Sequence, residues 1–85
     1  MDLAAEISLY PLAPDYIPVI EDFISRLNGR QGIEVITNTM STQVFGDYDT
    51  VMDALKEEMK ACYEAHGKAV FVVKFLSLGG DTEKL

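Results

Sequence analysis

The chain has 85 residues, of which 48% are hydrophobic and 25% charged, and its net charge is −7. This composition is typical of one small globular domain and excludes a disordered or collagen-like chain. Only seven Lys and Arg residues could neutralise phosphate groups, so the sequence argues against binding to nucleic acid.

Three further observations concern the location of the protein. No apolar run approaches the roughly 20 residues of a membrane helix, and residues 1–6 lack the basic start of a signal peptide. Cys62 is the single cysteine, so the chain cannot form an internal disulfide. We therefore expect a cytoplasmic protein that does not bind membranes.

The first third of the chain predicts a strand followed by a helix. Residues 3–10 alternate between apolar and polar side chains, as in a strand with one buried face. The helix is expected to have Asp15 as its N-cap and Pro18 in its first turn. Its apolar residues follow at three- and four-residue steps until Asn28 and Gly29 end it.

The remainder of the chain predicts two strands, a second helix and a last strand. The second helix is expected to have Asp47 or Asp49 as its N-cap and to end at His66 and Gly67. The predicted strands cover residues 33–37, 42–46 and 69–77, and a polar tail covers 78–85. The order βαββαβ predicts an α+β, ferredoxin-like domain over residues 1–85, with a four-stranded antiparallel sheet and both helices on one face.

Few residues offer catalytic chemistry. His66 is the only histidine, at a helix end where a cation suits the helix dipole, and Cys62 lies on an apolar helix face. The carboxylates of Glu57, Glu58 and Glu64 are expected to form a solvated helix face. We therefore predict that the protein is not an enzyme and needs neither a metal nor a cofactor; a small enzyme using Asp47 or His66 is the remote alternative.

The sheet face away from the helices is expected to be partly apolar. Val70, Val72 and Leu76 share that face of the last strand, beside Ser8 and Tyr10 of the first. Four strands of this length cover roughly 400 Å², and an apolar patch of that size usually forms a partner surface or a ligand groove. The simplest partner is a second copy of the chain, packed sheet to sheet.

Two polar clusters, at residues 8–11 and 37–42, are candidates for a ligand site. The side chains of Ser8, Asn38, Ser41 and Thr42 suit an aminopyrimidine, whose ring nitrogens accept and whose amino group donates hydrogen bonds. Tyr10 or Phe45 could stack on such a ring. The alternative interpretation is that these residues only form turns or pack.

The same segments resemble a known family. Residues 7–12 (ISLYPL), the helix motif Tyr16-x-x-Val19-Ile20, and residues 38–42 (NTMST) with Gly46 are similar to the thiamine/hydroxymethylpyrimidine-binding family of YkoF-like and MTH1187-like proteins. The resemblance covers residues 3–77. It implies a ferredoxin-like fold, homo-oligomers built by sheet packing, and binding of thiamine or its pyrimidine portion. The positions that carry over by motif are Ser8, Tyr10, Asn38, Ser41 and Thr42.

The function predicted from the sequence is therefore non-catalytic binding of thiamine or its hydroxymethylpyrimidine moiety by a cytoplasmic homo-oligomer, a dimer or a tetramer. The alternative is a protein-interaction module that uses the open sheet face and binds no small molecule. Because the first and third strands are expected to be antiparallel neighbours, we expect the end of the first strand to lie away from the Asn38 turn. On that expectation the turn of a neighbouring subunit completes the pocket.

Overall fold

The computed structural model describes residues 1–79. They form four strands and two helices in the predicted order. The elements are β1 (Asp2–Pro11), α1 (Ile17–Asn28), β2 (Ile33–Thr37), β3 (Thr42–Asp47), α2 (Tyr48–His66) and β4 (Ala69–Gly79).

The four strands form one antiparallel sheet in the order β2-β3-β1-β4. β1 and β3 therefore occupy the centre, as predicted. Apolar residues of β1 and β3 pack against one side of each helix, which buries the alternate residues of β1. The members of this core are Leu3, Ala5, Ile7, Val19, Phe23, Leu27, Val44, Val51, Leu55 and Cys62. The ferredoxin-like architecture is confirmed.

The start of α1 differs from the prediction. The N-cap is Tyr16 rather than Asp15, and no side chain bonds to the helix end. The side chain of an Asp15 N-cap would accept a hydrogen bond from the backbone N–H of residue 17 or 18. Pro18 has no N–H, so one of these two donors is missing. α2 does begin after Asp47, but the carboxylate of Asp47 lies 3.6 Å from the N-terminal ammonium and caps nothing.

The last strand is longer than predicted. β4 continues through Leu78 to Gly79, whereas the sequence predicted its end at Ser77. Residues 80–85 of the predicted tail lie outside the described residues. Within residues 1–79, neither helix combines the length and the apolar character that crossing a bilayer requires.

The prediction of a solvated face on α2 is wrong for Glu58. This residue is 6% exposed because it faces α1 and the loop that follows it, from which Arg26 Nε and Arg30 Nη1 donate to its carboxylate at 2.6 and 2.8 Å. Burial acts to raise the pKa of Glu58, but the hydrogen bonds and charges of the two arginines outweigh it and lower that pKa below its ordinary value. Glu57, by contrast, is exposed and pairs with Arg30 at 2.6 Å.

Candidate ligand site at the end of the first strand

The site arises because β1 is longer than its neighbour β3. The pairing of β1 with β3 stops at Ile7 opposite Thr42, whereas its pairing with β4 continues to Pro11 opposite Ala69. Residues 8–11 therefore have no strand partner on the β3 side. The turn of residues 38–41, which joins β2 to β3, lies beside this unpaired stretch, and an opening remains between them.

We call this opening the slot. It has a volume of about 110 Å³ and lies between the end of β1, the turn and helix α1. Its lining combines apolar side chains of α1 with polar residues of the turn. The lining residues are Ile7, Ser8, Leu9, Ile20, Phe23, Ile24, Asn38, Thr39, Met40, Ser41 and Thr42.

The turn that borders the slot is short and regular. The backbone N–H of Asn38 donates to the carbonyl of Ser41 at 2.8 Å, and no residue of the turn has a positive φ. Asn38, Thr39 and Met40 are exposed, and among residues 1–79 Met40 is the most exposed large apolar residue, at 86%. The turn therefore presents polar groups and one adaptable thioether side chain at the mouth of the slot.

The polar residues of the slot differ in burial and in bonding. Thr42 is buried, whereas Ser8 and Ser41 are half-buried. Ser41 Oγ donates to Glu6 Oε2 at 3.0 Å. Within residues 1–79, the side chains of Ser8, Asn38 and Thr42 make no hydrogen bond to another protein group.

Four of the six predicted site residues, Ser8, Asn38, Ser41 and Thr42, line this one slot within a single chain. The expectation of a turn supplied by a neighbouring subunit is therefore wrong. In an antiparallel pair the end of one strand lies beside the start of the other. The start of β3 directly follows the Asn38 turn, and this places the turn next to the end of β1.

The two predicted aromatic residues lie elsewhere. Tyr10 is opposite Val70 and exposed on the sheet face away from the helices. Phe45 is opposite Ala4 and lines a separate, shallow depression of about 300 Å³ on that face. At about 3.4 Å per residue, the three steps from Thr42 to Phe45 amount to roughly 10 Å, which takes Phe45 away from the slot.

Sequence reasoning missed the apolar wall of the slot. The three- and four-residue spacing of apolar residues in the first helix, which includes Ile20, Phe23 and Ile24, predicts one apolar helix face. Phe23 is indeed buried, with its ring centroid 5.1 Å from that of Phe71, yet it also reaches the slot. The three- and four-residue spacing of the helix was the available signal, but it cannot tell a core contact from a pocket wall.

The other residues considered for chemistry lie outside the slot. His66 Nε2 is 2.9 Å from Asp22 Oδ2, which ties the end of α2 to α1. Cys62 is buried, as predicted, and its burial, with a smaller effect of the Asp22 charge, raises the pKa of its thiol. Both factors disfavour the reactive thiolate. No cluster of three His, Cys, Asp or Glu residues in the described chain is arranged to hold a metal ion.

The sheet face away from the helices, which we call the open face, exposes the predicted apolar residues. Val70, Val72 and Leu76 are each about half exposed or slightly less, and Ile36 of β2 shares this face. Glu6 and Lys74 lie opposite each other among them, with Lys74 Nζ 3.8 Å from Glu6 Oε1. The open face is thus an apolar surface crossed by one ion pair.

Several solved structures share this fold. Protein SP2199 from Streptococcus pneumoniae has a TM-score of 0.84 at 23% identity, over 91% of this chain and 87% of its own. Protein MJ1052 from Methanocaldococcus jannascii has a TM-score of 0.79 at 23% identity, and the alignment covers 94% of this chain and 84% of MJ1052. A Thermotoga maritima protein, provisionally named a thiamine biosynthesis/salvage protein, has a TM-score of 0.78 at 19% identity, over 88% and 82%. At these identities the likeness establishes the fold alone.

No curated protein has significant sequence similarity to the chain. The sequence profile of one family, however, matches residues 3–82, nearly the whole length. That match spans both motifs that border the slot. The chain belongs to the YKOF-related family.

Proposed function

We propose that the protein binds thiamine, or its hydroxymethylpyrimidine moiety, in the slot, without catalysis and as a cytoplasmic homo-oligomer. The observation that carries the proposal is the meeting of Ser8, Asn38, Ser41 and Thr42 in one opening beside an apolar helix wall. These residues come from segments up to 34 positions apart.

The chemistry of the slot fits an aminopyrimidine ring. Ile20, Phe23 and Ile24 offer apolar surface to the faces of a planar ring, and the polar residues offer donors and acceptors to its edge. A volume of about 110 Å³ is below the 300–1,000 Å³ of typical ligand pockets. The slot is therefore suited to one ring, and the thiazolium ring of thiamine would project beyond it.

Charge and relatives also favour this ligand. A net charge of −7 attracts a cationic ligand such as thiamine more than a phosphorylated one. Membership in the YKOF-related family, and the thiamine-related name of a structural relative with a TM-score of 0.78, support the same choice.

The proposal of an oligomer rests on the open face. Val70, Val72 and Leu76 remain accessible in the single chain, and a second sheet packed against them would remove that apolar area from water. Because the polar residues of the slot all come from one chain, each subunit would carry its own site.

A ligand titration followed by thermal unfolding tests the proposal. At a fixed protein concentration, thiamine or hydroxymethylpyrimidine at 100 times its dissociation constant should stabilise the fold by about 2.7 kcal/mol. For a domain of this size that corresponds to a rise in Tm of roughly 10 °C or more. The thiazole moiety alone should give no shift, since it lacks the aminopyrimidine edge.

A matched pair of variants locates the site. Thr42→Val removes a slot hydroxyl but keeps its shape, and Thr50→Val makes the same change at a half-buried position of α2 outside the slot. Only the first should reduce the ligand-induced shift. If neither thiamine nor hydroxymethylpyrimidine shifts the wild-type Tm, the proposal is wrong and the interaction module becomes the better explanation.

A further inference from the structure

Ser41 differs from the other polar residues of the slot because its hydroxyl is already engaged. Ser41 Oγ donates to Glu6 Oε2 at 3.0 Å. Glu6 does not line the slot itself; it stands on the open face of β1, opposite Gln43 of β3. The hydrogen bond therefore connects Ser41, a slot residue, to Glu6, which lies on the open face outside the slot.

The direction of this hydrogen bond follows from the two groups. A carboxylate has only acceptors, whereas a serine hydroxyl has one proton and two lone pairs. Ser41 must therefore supply the proton, and that proton points away from the slot. What remains for a ligand is the oxygen of Ser41, which can only accept.

The second oxygen of Glu6 faces a different partner. Lys74 Nζ lies 3.8 Å from Glu6 Oε1, with the Glu6 side chain 41% exposed and that of Lys74 79% exposed. Such an exposed pair adds little to stability. Its effect here is on orientation, because one oxygen of Glu6 faces Lys74 and the other remains directed at Ser41.

We propose that Glu6 is a positioning residue that fixes Ser41 as a hydrogen-bond acceptor, so that the slot selects a ring bearing an N–H donor, such as an amino group, over one bearing a carbonyl oxygen. The inference rests on the proposed function, and deepens it by naming the residue that sets part of the specificity. A carbonyl at that position would face the lone pairs of Ser41, with no proton between the two oxygens.

The test compares two ligands that differ at this one group: 4-amino-5-hydroxymethyl-2-methylpyrimidine and its 4-oxo analogue. Calorimetry should show the amino compound binding the wild type roughly 10- to 100-fold more tightly, the range expected when one hydrogen bond is replaced by an unpaired acceptor. In Glu6→Gln the new amide can donate to Ser41 Oγ and free its proton. The preference should therefore fall toward that of Ser41→Ala.

The double variant separates positioning from simple charge attraction. In a Ser41→Ala background, Glu6→Gln should have no further effect on the preference, because the group that it orients is absent. Glu34→Gln removes the same charge from an exposed site on β2 and should leave the preference unchanged. The apo Tm of each variant verifies that the fold persists.

The outcomes are distinct. If Glu6→Gln leaves the preference unchanged, or changes it equally with and without Ser41, Glu6 does not act through Ser41 and the inference is overturned. If the wild type binds neither pyrimidine and no thiamine either, the proposed function fails and the inference fails with it. If it binds thiamine but does not distinguish the two pyrimidines, only the inference is overturned. Binding with a preference that is lost in Glu6→Gln only when Ser41 is present supports both.

Discussion

Thr42 lies directly opposite Ile7, at the last position where β3 pairs with β1. The gap between the end of β1 and the turn exists because the pairing stops at this position. Up to that position β1 and β3 are paired; beyond it, β1 stays paired with β4 but has the Asn38 turn instead of a strand on its other side. Thr42, which is buried, and Asn38, which is exposed, both line the slot.

The first prediction concerns Asn38. Asn38→Ala removes the side-chain amide from the slot and should weaken binding of thiamine by about 1–3 kcal/mol, or roughly 5- to 150-fold. The apo Tm should barely change, because the residue is exposed and the bond from its backbone N–H to the Ser41 carbonyl is kept. Calorimetric affinity and apo Tm, measured on the same preparations, check both halves.

Gln31→Ala is the matched control for Asn38→Ala, since it truncates another exposed amide in a loop away from the slot. It should leave the affinity unchanged. An unaltered affinity in Asn38→Ala would remove Asn38 from the site, and a large fall in its apo Tm would identify it as a structural turn residue.

The second prediction concerns Gly46, the glycine of the motif that follows the turn. A Cβ at this position would lie 2.9 Å from the carbonyl oxygen of Gly32 and 3.3 Å from Val51 Cγ2. Backbone cannot move as readily as a side chain, so Gly46→Ala should destabilise the fold by about 1–3 kcal/mol. Thermal unfolding should show a decrease in Tm of roughly 5–20 °C.

Gly29→Ala provides the control. Gly29 has φ of −81°, and a Cβ there would meet only backbone oxygens at 3.5 Å or more. Gly29→Ala should leave the free energy of unfolding unchanged or raise it by up to about 1 kcal/mol. If both variants unfold at the wild-type temperature, the close approach of Gly46 to Gly32 does not constrain the fold.

Much of this fold could be predicted because local patterns agree with it. β2 spans residues 33–37 as predicted, between Gly32 and the polar residue Asn38 that bound its alternating segment. The order of the six elements then restricts the topology to very few choices. The slot residues could be named for a similar reason, since polar side chains cluster in sequence where the strands end.

What could not be predicted depends on distances between elements. In the sequence Glu58 resembles any exposed helix carboxylate, but α1 and the loop after it place Arg26 and Arg30 beside it. The position of Phe45 relative to the slot depends on the register of β3 against β1, which no local pattern specifies. A contact between segments about 30 positions apart depends on how the elements pack together, and the residues adjacent in sequence do not determine it.

The third prediction concerns the buried carboxylate. Glu58→Gln removes the charge that Arg26 and Arg30 share and should destabilise the fold by about 1–3 kcal/mol at neutral pH. We expect less than the loss from a fully buried ion pair, because both arginines are partly exposed and can be solvated. Glu57→Gln, which breaks only the exposed pair with Arg30, should cost less than about 1 kcal/mol.

The same carboxylate predicts an acid dependence. The pKa of Glu58 is lower in the folded than in the unfolded protein, so the unfolded chain takes up this proton first as the pH falls. The stability that the ionised group contributes is complete above its unfolded pKa of about 4.3 and is lost as the pH falls through the lower folded value. Urea unfolding between pH 3 and 7 should show a smaller loss on acidification in Glu58→Gln than in the wild type. If the free energy of unfolding falls equally with pH in both proteins, Glu58 contributes nothing to the acid sensitivity.

The last prediction concerns the open face. Val72 lies opposite Ser8 near the middle of β4, and it is 47% exposed in the single chain. If two sheets pack over it, Val72→Glu places two like charges in a dry interface, at a cost that should separate the subunits. Sedimentation velocity at micromolar concentration should then show the wild type as a dimer or tetramer and Val72→Glu as a monomer. Gln31→Glu adds the same charge to an exposed loop and should leave the assembly intact. A wild-type protein that sediments as a monomer would contradict the sheet-packed assembly. The slot, whose polar residues all come from one chain, would then have to bind its ligand in the monomer.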